Sequence, residues 1–147
     1  MLDFEKFFES TKSKEIYLDN IQFKRINKKG AGEKVSLVCK DDLKLREITE
    51  DRACFTLTRH IGFKPVSFFE LSISFGFSLL FKQENKSIIK WEDIDLVNEL
   101  LRDNGVFIGP VISRISLLIA QITSSTIGQM PLITPPTLCI KTSDDEE

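Results

Sequence analysis

Residues 106–140 comprise thirty-five residues with a single charged side chain, Arg114. A membrane-spanning helix requires about 20 consecutive, predominantly apolar residues, and here Arg114 and four prolines interrupt the stretch. We predict a helix that begins at Pro110, ends before Gly128 and is buried on most of its circumference, followed by an extended strap over 129–140. Because a chain of 147 residues has little surface of its own to cover such a helix, copies of the chain or a partner are expected to cover it.

The length predicts one domain, which we place at 1–140, with an acidic, disordered tail at 141–147. The formal net charge of −2 argues against nucleic acid as a partner, because nucleic-acid-binding domains are usually basic. The basic residues between 24 and 29 are interpreted as a solvated strand end. The N-terminus carries acids and lacks a long apolar core, so it does not resemble a signal peptide, and no direct membrane insertion is predicted.

The chain has three cysteines, Cys39, Cys54 and Cys139, and one histidine, His60. A zinc site needs about four ligands at characteristic spacings, and these residues do not offer them. We therefore predict no metal and no cofactor. Free thiols are typical of a reducing compartment, which favours the cytoplasm.

Four segments carry the apolar alternation of β-strands. The last is the clearest, with seven large apolar side chains on one face and mainly Ser and Gly on the other. The small face either allows another backbone to approach closely or is a partly exposed polar face. A bulge is predicted in the second segment at Asp41–Asp42. The segments are 14–26, 34–46, 52–62 and 66–81.

The first segment changes its apolar parity at Asp19–Asn20. Ile16 and Leu18 are therefore predicted on one face and Ile21 and Phe23 on the other, with a bulge between them.

Helices are predicted over 2–10 and 91–103 in addition to the one that opens at Pro110. The helix over 91–103 has its apolar stripe at Trp91, Ile94, Val97 and Leu101. A run of strands followed by helices indicates an α+β fold, a four-stranded antiparallel sheet with a long apolar helix packed on one face.

No catalytic group of residues stands out. His60 is interpreted as a surface residue, because no acid or nucleophile can be placed beside it from sequence. Asp93 and Asp95 are better explained as partners of a helix N-terminus than as a carboxylate pair. The chain is therefore not expected to be an enzyme, and its abundant phenylalanine suits the binding of apolar segments of other chains.

Three segments together resemble the SecB family of protein-export chaperones. They are IYLDNIQF at 16–23, SFFELSISFGFSLLF at 67–81, and the apolar helix with Pro110 and Arg114 that precedes MPLITPP at 130–136. The resemblance implies a dimer of dimers, that is, a homotetramer. It also implies an ATP-independent holdase that binds unfolded or partly folded polypeptides in apolar grooves, with protein export and the export ATPase as further expectations.

The resemblance also implies site residues. For the oligomer interface we expect Ile112, Ile115, Leu118, Ile119 and Ile122, and an aspartate at Ile115 or Leu118 is expected to break the assembly. For contact with the export ATPase we expect Phe68 and Glu70. For the client groove we expect Phe23, Phe69, Phe75, Phe77, Met130, Leu132 and Leu138.

The sequence departs from the family at three points. Arg114 is one place later than the family's arginine. The sequence ends after the strap, where the family has a second helix that flanks the groove, so a more open groove is expected. Asn20 and Lys24 stand where the family uses acids to bind the export ATPase, and a lysine there reverses the local charge.

Two other functions remain open. The chain could be a dedicated adaptor, or an antitoxin-associated chaperone, with one fixed protein partner. Less favoured is a hot-dog-like acyl thioesterase, which also wraps a sheet around an apolar helix but needs an acid or histidine near that helix, and 106–140 offers none.

Overall fold

A computed structural model describes residues 15–26, 34–49, 51–80, 95–102, 107–127 and 131–140. Four strands are followed by two helices in these ranges. The strands are β1 (Glu15–Arg25), β2 (Ser36–Ile48), β3 (Arg52–Lys64) and β4 (Phe69–Leu80), and the helices are α1 (Leu96–Arg102) and α2 (Gly109–Ile127).

The strands form one antiparallel sheet in the order β1-β4-β3-β2, which places β1 and β2 at its edges. The predicted four-stranded antiparallel sheet is confirmed. The third strand runs on to Lys64, and β4 starts only at Phe69 because the chain turns between them.

The predicted bulge in β1 is confirmed, since the register shifts between Leu18 and Asn20. Its effect on the faces differs from the prediction. The extra residue restores the alternation, so all four apolar side chains of β1 lie on one face. That face is shared with their partners in β4, which pair as Ile16 with Phe77, Leu18 with Phe75, Ile21 with Ile73 and Phe23 with Leu71.

The predicted bulge at Asp41–Asp42 is wrong. β2 passes through this point in regular register, with Asp41 opposite Arg59, and the shift lies between Leu45 and Glu47. The alternation of apolar and polar residues looked irregular there because Asp41, a charged residue, occupies a buried position on the core face.

The small-residue face of β4 is approached closely by a side chain rather than by another backbone. The Tyr17 ring lies directly over Gly76, in the space that a Cβ atom would occupy. Beside it, the hydroxyls of Thr58 and Ser74 are hydrogen-bonded at 2.7 Å.

The opposite face of the sheet carries the core. Helix α2 packs against β4 and α1 against β2. Only one side of α2 is buried in the chain, as expected if copies of the chain or a partner are needed to cover the rest of its circumference, and that cover stays a prediction. The buried side of α2 consists of Val111, Ile112, Ile115 and Ile119, and its exposed side includes Ser113, Arg114, Leu117 and Gln121.

Helix α1 confirms the described part of the second predicted helix. Asp95 caps it, because its carboxylate accepts a hydrogen bond from the Asn98 backbone N–H at 3.2 Å. The most buried residues of α1 are Leu96 and Leu100, whereas Val97 and Leu101 of the predicted apolar stripe are only half-buried. The predictions for 2–10, for Trp91, Ile94 and Asp93, and for the tail at 141–147 lie outside the described residues. None of the helices in the described ranges is long and apolar enough to cross a membrane.

Candidate functional site

The core face of the sheet is left partly open at edge strand β1. Leu18, Ile21 and Phe23 lie on this face and are 48%, 39% and 39% exposed. We call these three residues the apolar row. Covering such side chains gains at most roughly 1.5–3 kcal/mol for each one fully buried. In contrast, their cross-strand partners are buried, namely Phe75, Ile73 and Leu71.

Helix α2 borders the apolar row on one side. The exposed Arg114 side chain connects the helix to β1 by a long hydrogen bond of 3.4 Å from its guanidinium to the Ile16 carbonyl oxygen. Leu117 lies one turn further on, on the same side of the helix, and is 61% exposed.

Four phenylalanine rings extend the apolar row across the end of the sheet. Phe23 stacks on Phe69 with ring centroids 5.5 Å apart. Phe69 meets Phe63 edge to face at 5.2 Å, and Phe63 meets Phe68 edge to face at 5.1 Å. We call these rings the aromatic cluster. Phe69 is buried, whereas Phe68 is 47% exposed, so the cluster presents an aromatic ring at the surface.

Phe68 is held in an unusual backbone conformation. Its φ is 60°, a region that bulky residues rarely adopt. The Phe69 N–H donates to the Ser67 carbonyl at 2.7 Å, closing a tight turn around Phe68, and the Ile26 N–H donates to the Phe68 carbonyl at 2.9 Å. Such strain costs about 1–3 kcal/mol and is concentrated at functional positions.

The strap over 131–140 has neither helix nor strand, as predicted for a proline-rich segment. Its first half is bound to α2. The Leu132 N–H donates to Thr123 Oγ1 at 2.8 Å, and the Thr134 hydroxyl donates to Ser116 Oγ at 3.2 Å. Ile133 points away and is 76% exposed.

The second half of the strap is bound to the sheet by a buried ion pair. Arg59 Nε and Nη2 each donate to a different oxygen of the Asp41 carboxylate at 2.8 Å. The same guanidinium donates to the carbonyl oxygens of Pro135 at 2.7 Å and Thr137 at 2.9 Å. Asp41 Oδ2 also accepts from the Cys139 N–H at 2.7 Å.

These bonds explain how two charges are accommodated in the core. Burial disfavours the guanidinium charge, but the hydrogen bonds and negative charge of Asp41 outweigh it and raise the pKa of Arg59. Arg59 therefore stays charged, and its planar set of donors fixes the position of the strap. Removing one partner from a buried pair is strongly destabilising, because the other charge is left uncompensated.

The residues predicted for the client groove differ in how far they are buried. Phe23 is exposed and lies in the apolar row and the aromatic cluster. Phe69, Phe75 and Phe77 are buried core residues instead, because their strand lies under α2. Leu132 and Leu138 are half-buried strap residues that pack against the core. Met130 lies outside the described residues.

The residues predicted for the oligomer interface likewise differ in how far they are buried. Ile112, Ile115 and Ile119 are buried in the protomer's own core, while Leu118 and Ile122 are partly buried against it. The apolar periodicity of a helix identifies a buried side but does not say which molecule buries it.

The two residues predicted to contact the export ATPase are both exposed. Phe68 belongs to the aromatic cluster. Glu70 lies on the outer face of the sheet, directly opposite Lys24 in the β1–β4 register, so its charge is offset by a neighbour of opposite sign.

His60 does have a nucleophile beside it. Its Nδ1 lies 2.7 Å from Ser72 Oγ across the β3–β4 pair, on the exposed outer face. Catalytic serine–histidine pairs also need a third group that orients the ring, and no such hydrogen bond to His60 is seen among the described residues.

The sequence analysis did not predict that Leu18, Ile21 and Leu117 are exposed apolar residues. It also did not predict the buried ion pair between Asp41 and Arg59. A signal for the pair was present. Each of the two charged residues stands where the alternation of its strand requires an apolar residue. Asp41 lies between Cys39 and Leu43 in β2, and Arg59 lies between Leu57 and Ile61 in β3. Two opposite charges on the core side of predicted neighbouring strands indicate a buried pair.

No protein-family model and no curated protein matches the sequence. Among solved structures, a SecB-like chaperone from Mycobacterium tuberculosis, in complex with a ChAD peptide from the HigA1 antitoxin, is similar with a TM-score of 0.61 at 9% sequence identity, over 82% of this chain and 86% of that chain. A protein of unknown function from Streptococcus agalactiae has a TM-score of 0.46 at 8% identity, over 82% of this chain and 93% of that chain.

The first of these similarities shows that the chain has a SecB-like fold. The four-stranded antiparallel sheet and the helix on its core face both agree with it.

Proposed function

We propose that this protein is a SecB-like, ATP-independent holdase that binds unfolded or partly folded polypeptides. The observation that carries the proposal is the exposed apolar row, whose Phe23 ring stacks on the aromatic cluster that includes the exposed Phe68 ring. Exposed apolar side chains that lie close together mark an interaction site, and the SecB-like fold supports a polypeptide as their partner.

The chemistry of this surface suits weakly specific binding. Phenylalanine rings bury large areas without a hydroxyl that needs a matching partner. β1 is also an edge strand of the sheet, so an extended chain can bond to its backbone while its side chains reach the apolar row. Backbone bonding does not depend on sequence, as a chaperone for many clients requires. No step of this function needs a catalytic group or a cofactor.

We place self-assembly on the exposed side of α2. Leu117 is the large apolar residue there, flanked by Ser113, Arg114 and Gln121. A second copy that packs on this side would complete the cover that the single chain lacks. A homotetramer built as a dimer of dimers, as the SecB resemblance implies, would leave the aromatic cluster free for clients.

The second part of the proposal concerns which protein partner this chaperone works with. Lys24 opposite Glu70 reduces the negative charge of the outer sheet face, which disfavours a partner that recognises acids, such as the export ATPase of the SecB resemblance. A dedicated role beside one protein, such as an antitoxin, is the second candidate function, favoured by the peptide in the complex of the Mycobacterium tuberculosis chaperone. In either role the protein would act in the cytoplasm.

The test is light scattering of a chemically unfolded model protein that is diluted into increasing amounts of this protein without ATP. The expected result is suppressed aggregation at near-stoichiometric ratios, unchanged by ATP. Phe23→Ser combined with Phe68→Ser should weaken the suppression. Ile48→Ser is the matched control, because Ile48 is 36% exposed on the same face at the far end of the sheet.

Two outcomes would count against the proposal. A folded sample that does not suppress aggregation would favour the fixed-partner role, and co-purification would then be the next step. Equal loss of suppression in the Ile48→Ser control would show that the apolar row and aromatic cluster are not the binding surface.

A further inference from the structure

Two cysteines that are far apart in the sequence meet at the edge of the sheet. The pKa of the Cys39 thiol is raised chiefly by burial and, to a lesser extent, by the neighbouring Cys139 thiol. The backbones are joined beside them, because the Asp41 N–H donates to the Cys139 carbonyl at 2.8 Å. Cys39 and Asp41 are two residues apart in β2, so their side chains lie on the same face.

The third cysteine is separate from this pair. Cys54 lies in β3 at an outer-face position, opposite Ser78. Cys39 and Cys139 are both half-buried and unpaired by any disulfide, so each retains a path to small molecules in solution.

The surroundings of Cys39 disfavour the reactive form of its thiol. Burial, opposed by the positive charge of Arg59 and assisted by the negative charge of Asp41, raises the pKa of Cys39 to about 12. Since the thiolate is the reactive form, Cys39 at neutral pH reacts slowly with an oxidant by itself.

We infer that Cys39 and Cys139 form an oxidation site, at which a disulfide joins the strap to β2. The oxidant required is a low-molecular-weight disulfide such as oxidised glutathione. The Cys139 sulfur attacks it to form a mixed disulfide and releases one glutathione thiol. The Cys39 sulfur then loses its proton and attacks the Cys139 sulfur, which releases the second glutathione thiol. Two protein thiols are oxidised, and one glutathione disulfide is reduced to two thiols.

The bond would act on the same half of the strap that Arg59 and Asp41 position. Their contacts with the carbonyls of Pro135 and Thr137 can open without any chemical change, whereas a disulfide at Cys139 opens only when it is reduced. Oxidation would therefore fix the strap to β2 at Cys39, two residues from Leu37, which lies opposite Phe63 of the aromatic cluster. The existence of the bond does not depend on the proposed function, and only an effect of the bond on client binding rests on it.

The test equilibrates the full chain with mixtures of reduced and oxidised glutathione, quenches with acid, alkylates the remaining thiols and measures intact mass and cross-linked peptides. Wild type and Cys54→Ser should each lose two alkylation sites and yield a Cys39–Cys139 peptide pair. Cys39→Ser and Cys139→Ser should yield none. Full retention of thiols, glutathione adducts alone, or a bond through Cys54 would overturn the inference.

Hydrogen exchange supplies the second measurement. The Cys139 amide, which donates to Asp41 Oδ2, should exchange at least tenfold more slowly after oxidation, while amides in α1 should be unchanged. An unchanged exchange rate of the Cys139 amide would overturn the inference that the disulfide fixes the strap. Light scattering on the oxidised and reduced forms separates this result from the proposed function, because a protein without holdase activity can still form the bond.

Discussion

Arg59 and Asp41 are directly opposite each other in the β2–β3 register, and they form a two-bonded ion pair on the face of the sheet that is otherwise apolar. Both side chains are almost completely buried. The remaining donors of Arg59 hold two carbonyl oxygens of the strap. The position of the second half of the strap therefore depends on this charge pair.

Asp41→Asn tests this dependence. The variant leaves the Arg59 charge buried without a compensating carboxylate, so we expect a loss of roughly 3–5 kcal/mol in the free energy of unfolding. Urea denaturation measures it. The control is Asp42→Asn at the neighbouring exposed position, where the contact with Lys44 is 3.5 Å long, and a change within about 0.5 kcal/mol is expected. Equal effects would contradict the role of the buried pair.

Gly76→Ala tests the contact with Tyr17. The new methyl group would displace the Tyr17 ring, and loss of this cross-strand pair should cost about 0.5–1 kcal/mol. In a Tyr17→Ala background the same change should be neutral or stabilising, because alanine restricts the unfolded chain. Gly62→Ala is the matched control, since nothing lies within 4 Å of its Cβ position. The four variants to compare by thermal unfolding are Gly76→Ala, Tyr17→Ala, their combination and Gly62→Ala. If the effects of Gly76→Ala and Tyr17→Ala add in the combined variant, the two residues do not interact.

Aspartate substitutions on α2 separate the core from the proposed interface. Ile115→Asp should unfold the protomer, because it buries an unpaired carboxylate in a position that is 1% exposed. Leu117→Asp should leave the circular dichroism spectrum unchanged but reduce the native mass measured by light scattering after size exclusion. A Leu117→Asp protein of unchanged mass would remove this side of α2 from the assembly.

Phe68→Gly separates stability from binding. Glycine adopts a φ of 60° without strain, whereas loss of the ring contact with Phe63 removes about 0.5–1.5 kcal/mol. We expect the net change in unfolding free energy to stay within about 1 kcal/mol, while aggregation suppression falls. Val66→Gly, at an exposed position in the same turn, is the control. Retained suppression in Phe68→Gly would exclude Phe68 from the binding surface.

Alkaline titration tests the environment of Cys39. Burial, as the largest effect, raises the pKa of this thiol from 9.0 to about 12. Between these values the unfolded chain has lost the proton and the folded chain has kept it, so stability falls as the pH rises from about 9 towards 12. Cys39→Ser should show a smaller fall over this range in urea denaturation. Parallel curves for wild type and variant would contradict the raised pKa.

The sequence by itself determined the order and type of the strands, helices and strap in the described part of the chain. Alternation of apolar residues placed all four strands, because a strand with one buried face must repeat with period two. The prolines near the C-terminus required an extended strap, and the parity change at Asp19–Asn20 identified the bulge in β1. Each of these signals is local, so a single chain segment is enough to read it.

Only the tertiary structure decided which apolar residues are core and which remain open. Phe75 and Leu18 are cross-strand neighbours on the same face, yet α2 packs on β4 and leaves β1 at the edge. Ile115 and Leu117 are likewise both apolar residues of α2, but Ile115 is buried and Leu117 is exposed because they lie on different sides of the helix. Burial depends on what packs against a residue, and the pairing of Asp41 with Arg59 likewise required the two strands to be neighbours in register.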